Sequence, residues 1–262
     1  MSLRSFIESA GSPDHAIAIV GDGSADPLTG MLAETFDESS IAVEPESRSD
    51  LLDPETIDDT DADVAVLLED GSPVAASPMP ELYESILAIN SDLFVTGARG
   101  LEEVDLPDLL ANLDETRLRL RGYPLAHKEK LLLIVISRYV ERQAWAADSG
   151  TLRSSFQTLT RLNDEVGTRK VYERLEDAPV EVHVYGVADG KRPDLDVAVH
   201  TGEDPEYRKG WFVVHRPADP TAPDATPAAL VCYEAEPRIW DGFWTFDRER
   251  VAAIDDYVAT EL

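Results

Sequence analysis

The hydrophobic pattern changes once along the second half of the chain, and this change constrains the fold more than any other feature. Between residues 107 and 178 the pattern predicts helices over 107–120, 128–147, 151–165 and 168–178. Beyond residue 180, runs rich in valine and aromatic residues predict strands over 180–187, 196–201, 211–216, 228–234 and 243–246, followed by a helix capped by Asp247. This order indicates an α+β fold, in which a mixed, largely antiparallel sheet packs against several helices.

The first hundred residues alternate strands and helices. We expect strands over 16–20 and 41–44, a helix over 27–36, a hairpin of 64–68 with 73–76, and a helix over 77–89. A boundary at Thr96–Gly100 would separate an acidic N-terminal α/β subdomain, residues 1–100, from a second domain, residues 101–262. The halves share an order of elements in which 16–20 matches 181–185. Both a degenerate repeat and chance likeness remain open.

Charge restricts the environment and the partners of the chain. It has 52 acidic and 23 basic residues and a formal net charge of −29, whereas small domains usually carry a charge of magnitude about 2 to 8. Only five of the basic residues are lysines. Many carboxylates with few lysines indicate a halophile's cytoplasmic protein, because molar salt screens the repulsion between them. The negative field would repel phosphate, so we expect no nucleic-acid partner.

Several functional classes lack their sequence signatures. The longest apolar run, 131–136, is far shorter than the ~20 residues of a membrane-spanning helix, and the first residues contain no secretory h-region. We therefore expect neither membrane insertion nor secretion. A single cysteine, Cys232, excludes an intrachain disulfide. P-loop, HExxH, GxSxG and CxxC motifs are all missing, which favours a protein that is not an enzyme.

Five short motifs occupy the second half in a fixed order: Glu141–Trp145 (ERQAW), Val182–Gly186 (VHVYG), Trp211–Val214 (WFVV), Cys232–Glu234 (CYE) and Phe243–Asp247 (FWTFD). Together they resemble the DICT sensory domain, an input module found beside diguanylate cyclases and two-component proteins and as stand-alone haloarchaeal proteins. The resemblance covers roughly residues 105–262. It implies a cytoplasmic, non-enzymatic sensor that acts on a kinase, regulator or transducer, and it names no ligand or cofactor.

Charged and aromatic residues within these motifs are the candidates for a ligand site. A pocket commonly combines aromatic walls with a few polar groups, and charged residues inside apolar motifs need a partner, a ligand or solvent. The alternative for each aromatic ring is a place in the core. We predict that a small molecule would contact Glu141, Arg142, Trp145, Tyr185, Trp211, Glu234 and Trp244.

Two other functions remain open from the sequence. His183, His200 and His215 lie in successive predicted strands and Cys232 in the next, so they could converge as metal ligands of an uncharacterised metal-dependent enzyme. Residues 117–174 hold 12 basic and six acidic residues. This basic helical face could dock an acidic partner, or its arginines could form ion pairs within the chain.

Overall fold

The computed structural model describes residues 1–11, 13–21, 27–36, 39, 41–46, 63–88, 100–121, 127–190, 192–219, 221–222 and 225–262. Within these residues, helices and strands both occur in quantity, and the α+β class is confirmed. Apart from Gly100, the predicted boundary at 96–100 lies outside the described residues. The division into residues 1–100 and 101–262 stays a prediction.

The described helices are α1 (Leu3–Ser9), α2 (Pro27–Phe36), α3 (Met79–Ala88), α4 (Asp108–Ala111), α5 (His127–Ala146), α6 (Thr160–Asp164), α7 (Val166–Leu175), α8 (Pro205–Lys209) and α9 (Arg248–Glu261). The predicted cap of α9 is confirmed, because Asp247 accepts a hydrogen bond from the backbone N–H of Arg250 at 2.8 Å. Within the described residues, no helix is both long enough and apolar enough to cross a membrane.

The described strands are β1 (His15–Val20), β2 (Ala42–Glu46), β3 (Val64–Glu69), β4 (Ser72–Pro78), β5 (Leu118–Arg121), β6 (Gly150–Thr158), β7 (Glu181–Val187), β8 (Ala198–Thr201), β9 (Gly210–Pro217), β10 (Ala228–Glu236) and β11 (Ile239–Thr245). They form a small sheet in the order β2-β1-β3-β4 and a large sheet in the order β5-β11-β10-β9-β6-β7-β8. In the large sheet β7 runs parallel to β6 and β8, and the other neighbours are antiparallel. This confirms the mixed, largely antiparallel sheet.

Two of the predicted helices are wrong. The segment predicted as a helix over 151–165 is mostly strand β6, which pairs with β7 on one side and β9 on the other. Its side chains alternate between the two faces of the sheet, and its threonines, serines and Phe156 suit a strand. The segment predicted over 107–120 is helical only at α4 and ends in edge strand β5, where Leu118 and Leu120 are buried. Tertiary pairing overrides the local helical pattern in both segments.

The two sheets share a pattern of connections. In the small sheet, β1 lies between the antiparallel β3 and the parallel β2, which follows β1 through α2. In the large sheet, β6 likewise lies between the antiparallel β9 and the parallel β7, which follows β6 through α6 and α7. That antiparallel strand then pairs with its successor, β4 or β10. Strand β1 therefore occupies the position of β6. The sequence pattern, which matches 16–20 with 181–185, had placed it at the position of β7.

Helix α5 lies where the core of the small sheet meets that of the large sheet. It contacts α2 and α3 on one side and β9 and β10 on the other. Buried residues of all these elements form one hydrophobic cluster, from Ile17 and Leu67 through Val135 to Leu230. A second cluster covers the opposite face of the large sheet, where α1, α8 and α9 pack. The large sheet is therefore covered on both faces, and α5 is the element shared between the two cores.

Candidate functional site

Helix α5 places an ion pair within a mostly apolar interface. Its buried apolar residues recur every three or four positions, as expected for a helix packed along one side: Leu132, Val135, Ile136, Val140 and Ala144. Arg138 and Glu141 lie one turn apart and are only 8% and 2% exposed. Arg138 donates hydrogen bonds to Oε2 of Glu141 and, at 3.0 Å, to Oγ1 of Thr168 on α7. The pair therefore joins α5 to α7.

Among the described residues, three buried polar atoms on the same side of the large sheet lack a hydrogen bond of ordinary geometry: the Tyr172 hydroxyl, the Ser154 hydroxyl and Nε2 of His215. The Tyr172 hydroxyl nevertheless lies within hydrogen-bonding reach of Ser154 and Glu141, which leaves Nε2 of His215 as the atom of the three without a nearby partner. Ser154 pairs with Val213, so His215, two residues along β9, lies on the same face as Ser154. We call the following residues the interior polar cluster: Arg138, Glu141, Ser154, Thr168, Tyr172 and His215.

Burial keeps the titratable rings of this cluster neutral. It raises the pKa of Tyr172 well above its usual value, and the neighbouring Glu141 carboxylate raises this pKa further. Burial also lowers the pKa of His215 to about 4. Nδ1 of His215 lies 3.2 Å from the carbonyl oxygen of Thr151. Because that oxygen can only accept, Nδ1 carries the ring proton and Nε2 is left as an acceptor.

The other residues predicted on this side of the sheet do not join the cluster. Trp244 is buried, and its Nε1 donates to the carbonyl oxygen of Leu110 at 3.1 Å. Trp211 is half-buried and meets Trp240 edge to face, with ring centroids 6.0 Å apart. Glu234 is half-buried and accepts a hydrogen bond from the backbone N–H of Arg238 at 2.7 Å. These contacts are those of core and turn residues.

The two remaining candidates on α5 lie near its end. Arg142 is half-buried, and its Nη1 lies 3.8 Å from Oδ1 of Asp105, which is exposed. Trp145 is half-buried and packs against the core cluster that α5 shares with both sheets. Glu141 is thus the one predicted ligand residue that belongs to the interior polar cluster.

Tyr185 lies on the opposite face of the large sheet, in a different polar group. Its hydroxyl accepts a hydrogen bond from Nη1 of Arg153 at 3.0 Å, and its ring stacks on His200 at 4.4 Å between centroids. His200 in turn places Nε2 3.0 Å from Nδ1 of His183. Burial lowers the pKa of both histidines, and the Arg153 guanidinium lowers these pKa values further. Arg153 is held by Asp255 of α9 at 2.8 Å.

The four predicted metal ligands do not converge. His183 and His200 lie on the α9 side of the large sheet, whereas alternation along β9 and β10 places His215 and Cys232 on the α5 side. Cys232 is fully buried, and burial raises the pKa of its thiol far above the usual range. Among the described residues, no three histidine, cysteine or acidic side chains are grouped as metal ligands would be.

The basic stretch 117–174 pairs largely within the chain. Arginine side chains of this stretch contact carboxylates in the pairs Arg117–Asp241, Arg119–Glu236, Arg138–Glu141, Arg142–Asp105, Arg153–Asp255, Arg169–Glu173 and Arg174–Glu102. The partners lie before the stretch (Glu102, Asp105), within it (Glu141, Glu173) and near the end of the sequence (Glu236, Asp241, Asp255). Intramolecular pairing, one of the two interpretations of the charge pattern, therefore accounts for these arginines.

Sequence reasoning missed most of the interior polar cluster. Arg138 with Glu141, and Thr168 with Tyr172, follow the three- and four-residue spacing of a helix, so each pair could have been placed on one helix face. Ser154 could not, because it was assigned to a helix. Its position beside Tyr172 depends on β6 being a strand between β7 and β9.

Comparison with known proteins adds a family to this geometry. No curated protein and no solved structure matches the chain. Residues 108–234 match the model of the family described as "DICT: Sensory domain in DIguanylate Cyclases and Two-component system". The matched segment contains α5, α7 and β6 to β9, and with them every residue of the interior polar cluster. The match shows that residues 108–234, slightly less than half of the chain, are similar to a sensory domain of signalling proteins.

Proposed function

We propose that this chain is a non-enzymatic input protein of a two-component or related signalling system, and that it senses a small ligand bound at the interior polar cluster. The observation that carries the proposal is the interior polar cluster beside the Arg138–Glu141 pair, in which the buried Nε2 of His215 has no hydrogen-bond partner, inside the segment similar to a sensory domain. Buried polar groups are normally hydrogen-bonded, and each exception calls for an explanation. A bound molecule that donates a hydrogen bond to Nε2 of His215 is such an explanation.

Helix α5 is suited to transmit the binding event. It presents Glu141 and Arg138 to the cluster, and it also packs against α2 and α3 of the small sheet. A ligand that alters the packing of α5 on α7 would therefore change how α5 supports the N-terminal helices. In this proposal a kinase, regulator or transducer binds the altered surface. The ligand shifts the equilibrium between the two packings of α5 because it contacts them differently.

The cellular setting is part of the same proposal. An acidic chain with a net charge of −29 and few lysines suits the cytoplasm of a halophile, as in the stand-alone haloarchaeal type. The metal-dependent enzyme and the basic docking face gain no specific support, because the metal ligands are separated and many of the arginines are paired.

Native mass spectrometry of the full chain tests the proposal. The protein would be purified from a halophilic host in high salt, exchanged into a volatile ammonium salt, and compared with a denatured extract. We expect an extra small-molecule mass on the wild type and on Arg142→Gln. The variant His215→Phe, which removes the unpartnered acceptor, should lack this mass. Identical apo masses for all three proteins would contradict ligand sensing at this cluster.

A further inference from the structure

Strand β8 forms one edge of the large sheet, and its outer side is open. Among the described residues, β7 is the one strand that pairs with it. Apart from that ladder, no hydrogen bond of the described part of the chain reaches the backbone of residues 198–201. Residues along a strand alternate in the side to which their N–H and C=O groups point. About half of the backbone groups of β8 therefore face outward, as on any unpaired sheet edge.

The other edge strands of the two described sheets carry residues that discourage the addition of a further strand. Strand β2 contains Pro45, and β4 contains Pro73 and Pro78 and pairs irregularly with β3. Strand β5 contains Arg119 and Arg121. Proline lacks the N–H that a ladder needs, and charges and bulges also protect an edge. Strand β8 has the sequence Ala-Val-His-Thr and a regular ladder with β7, so none of these three features protects it.

Side chains on both faces hold β8 in position. On one face the ring of His200 stacks on that of Tyr185, with centroids 4.4 Å apart. On the other face Val199 packs against the core cluster that α5 shares with both sheets. Leu195 and Val197, just before the strand, pack against the same cluster. A segment that adds to β8 therefore meets a strand whose conformation is already fixed, and little ordering entropy is lost on this side.

Acidic residues lie on both sides of β8. Residues 194–204 contain no lysine or arginine and four exposed acidic residues: Asp194, Asp196, Glu203 and Asp204. Arg208 contacts Glu203 at 3.5 Å, and no ion pair among the described residues involves the other three. If two copies paired their β8 strands about a twofold axis, the acidic start of each would lie beside the acidic end of the other. Like charges that face each other destabilise strand pairing. A segment with basic residues on each side of the paired stretch is complementary instead.

We propose that the outer edge of β8 docks an extended segment of a partner protein, which adds as a further strand and carries lysine or arginine on each side of the paired residues. The four residues of β8 set the length of the pairing. In strand addition, main-chain hydrogen bonds supply the affinity, and here the flanking charges supply selectivity. The inference goes beyond the proposed function, and it does not depend on a ligand at the interior polar cluster.

The probe is a synthetic peptide, acetyl-Arg-Thr-Val-Thr-Val-Arg-amide. It would be titrated into the full chain in molar salt while NMR follows the hydrogen exchange of individual backbone N–H groups. We expect saturable protection of the outward N–H groups of residues 198–201 and unchanged protection of β10. The same peptide with its four central residues N-methylated cannot donate to a ladder, and it should protect none of these groups. A peptide with glutamate in place of arginine should bind about twofold to fivefold more weakly.

Variants of the chain test the charge complementarity from the other side. Asp194→Asn/Asp196→Asn removes two exposed carboxylates before β8, and it should weaken binding of the arginine peptide by about twofold to fivefold. Glu249→Gln/Glu261→Gln is the matched control. It removes the same charge from exposed positions of α9, which packs on β9 and β10, and should leave binding unchanged.

Each of four other results would overturn the inference. If the arginine peptide protects no N–H group of residues 198–201, the edge does not accept a strand. If the N-methylated peptide binds equally well, side chains and not the backbone make the contact. Equal or tighter binding of the glutamate peptide would refute a basic partner. Protection of β8 that rises with protein concentration in the absence of peptide would show that a second copy of the chain occupies the edge.

Discussion

Arg153 and Asp255 form a buried ion pair that joins an interior strand of the large sheet to the last helix. Nε of Arg153 donates to Oδ1 of Asp255 at 2.8 Å, and the two residues are 9% and 4% exposed. Asp255 also accepts from Oγ1 of Thr151 at 3.2 Å and from Nη1 of Arg216 at 3.3 Å. Strands β6 and β9 place these donors on one face because Thr151 pairs with Arg216. Helix α9 is therefore held on the large sheet by polar contacts as well as by apolar contacts.

Removal of the buried carboxylate should destabilise the fold strongly. Asp255→Ala leaves Arg153 buried without its anion, and we expect a loss of about 3–5 kcal/mol in the free energy of unfolding. Asp256→Ala is the matched control, because Asp256 is exposed and pairs with Arg216 at the surface. Its loss should stay below about 1 kcal/mol. Chemical denaturation in molar salt measures both, and equal losses would contradict the buried role of Asp255.

The Arg138–Glu141 pair should show strong coupling. Glu141→Leu leaves a buried guanidinium without its carboxylate and should cost about 3 kcal/mol or more, whereas Arg138→Met/Glu141→Leu removes both charges and should recover most of that loss. A double-mutant cycle of unfolding free energies measures the coupling. If the double variant loses the sum of the two single losses, the residues act independently and the buried pair has no special role.

His215 should make the fold sensitive to acid. Burial lowers the pKa of His215 from 6.5 to about 4, so the unfolded chain binds a proton more readily than the folded chain. Its contribution is complete above pH 6.5 and is lost as the pH falls toward 4, by about 2 kcal/mol at pH 5. Unfolding free energies at pH 7 and pH 5 test this. His215→Phe should show a smaller loss between the two values, and an unchanged loss would assign the acid sensitivity elsewhere.

The stability of the pairing between edge strand β8 and β7 should depend on pH through the stacked histidines. Burial, and then the Arg153 charge, lower the pKa of His183 and His200 below 6.5, so the fold favours their neutral forms. Pairing of β8 on β7 should therefore be complete above pH 6.5 and weaken below it. Hydrogen exchange of residues 198–201, corrected for the intrinsic rate, measures this, with β10 as reference. Equal protection at pH 7 and pH 5 would refute the link.

Two glycines should respond to alanine in opposite directions. Gly150 has a φ of +133°, and an added Cβ would lie 2.4 Å from the carbonyl oxygen of Arg216. Gly150→Ala should therefore destabilise the start of β6 by several kcal/mol, roughly the range of severe backbone strain. Gly30 of α2 has nothing within 4 Å of an added Cβ. Gly30→Ala should stabilise by about 0.5–1 kcal/mol. Thermal unfolding ranks the variants, and a stabilising Gly150→Ala would show that β6 begins differently.

Local sequence patterns predicted an element correctly where its turn residues, apolar stripe or helix cap specify it. The hairpin of β3 and β4 follows from Asp70 and Gly71, whose positive φ values of 50° and 76° form its turn. Helix α5 follows from its apolar stripe, and α9 from the cap at Asp247. Segment 151–158 was mistaken for a helix because its short pattern of apolar and polar residues fits either period. Its strand identity depends on two partners distant in sequence.

The sequence by itself determined the α+β class, most of the strands and the resemblance to a sensory domain, because these depend on local periodicity and short motifs. It also identified Glu141 as a charged residue that needs a partner. Only the tertiary structure decided which partner this is, that His183 and His200 are separated from His215 and Cys232, and that Ser154 lies beside Tyr172. Strand order and register determine these placements, and both depend on contacts between residues far apart in the chain.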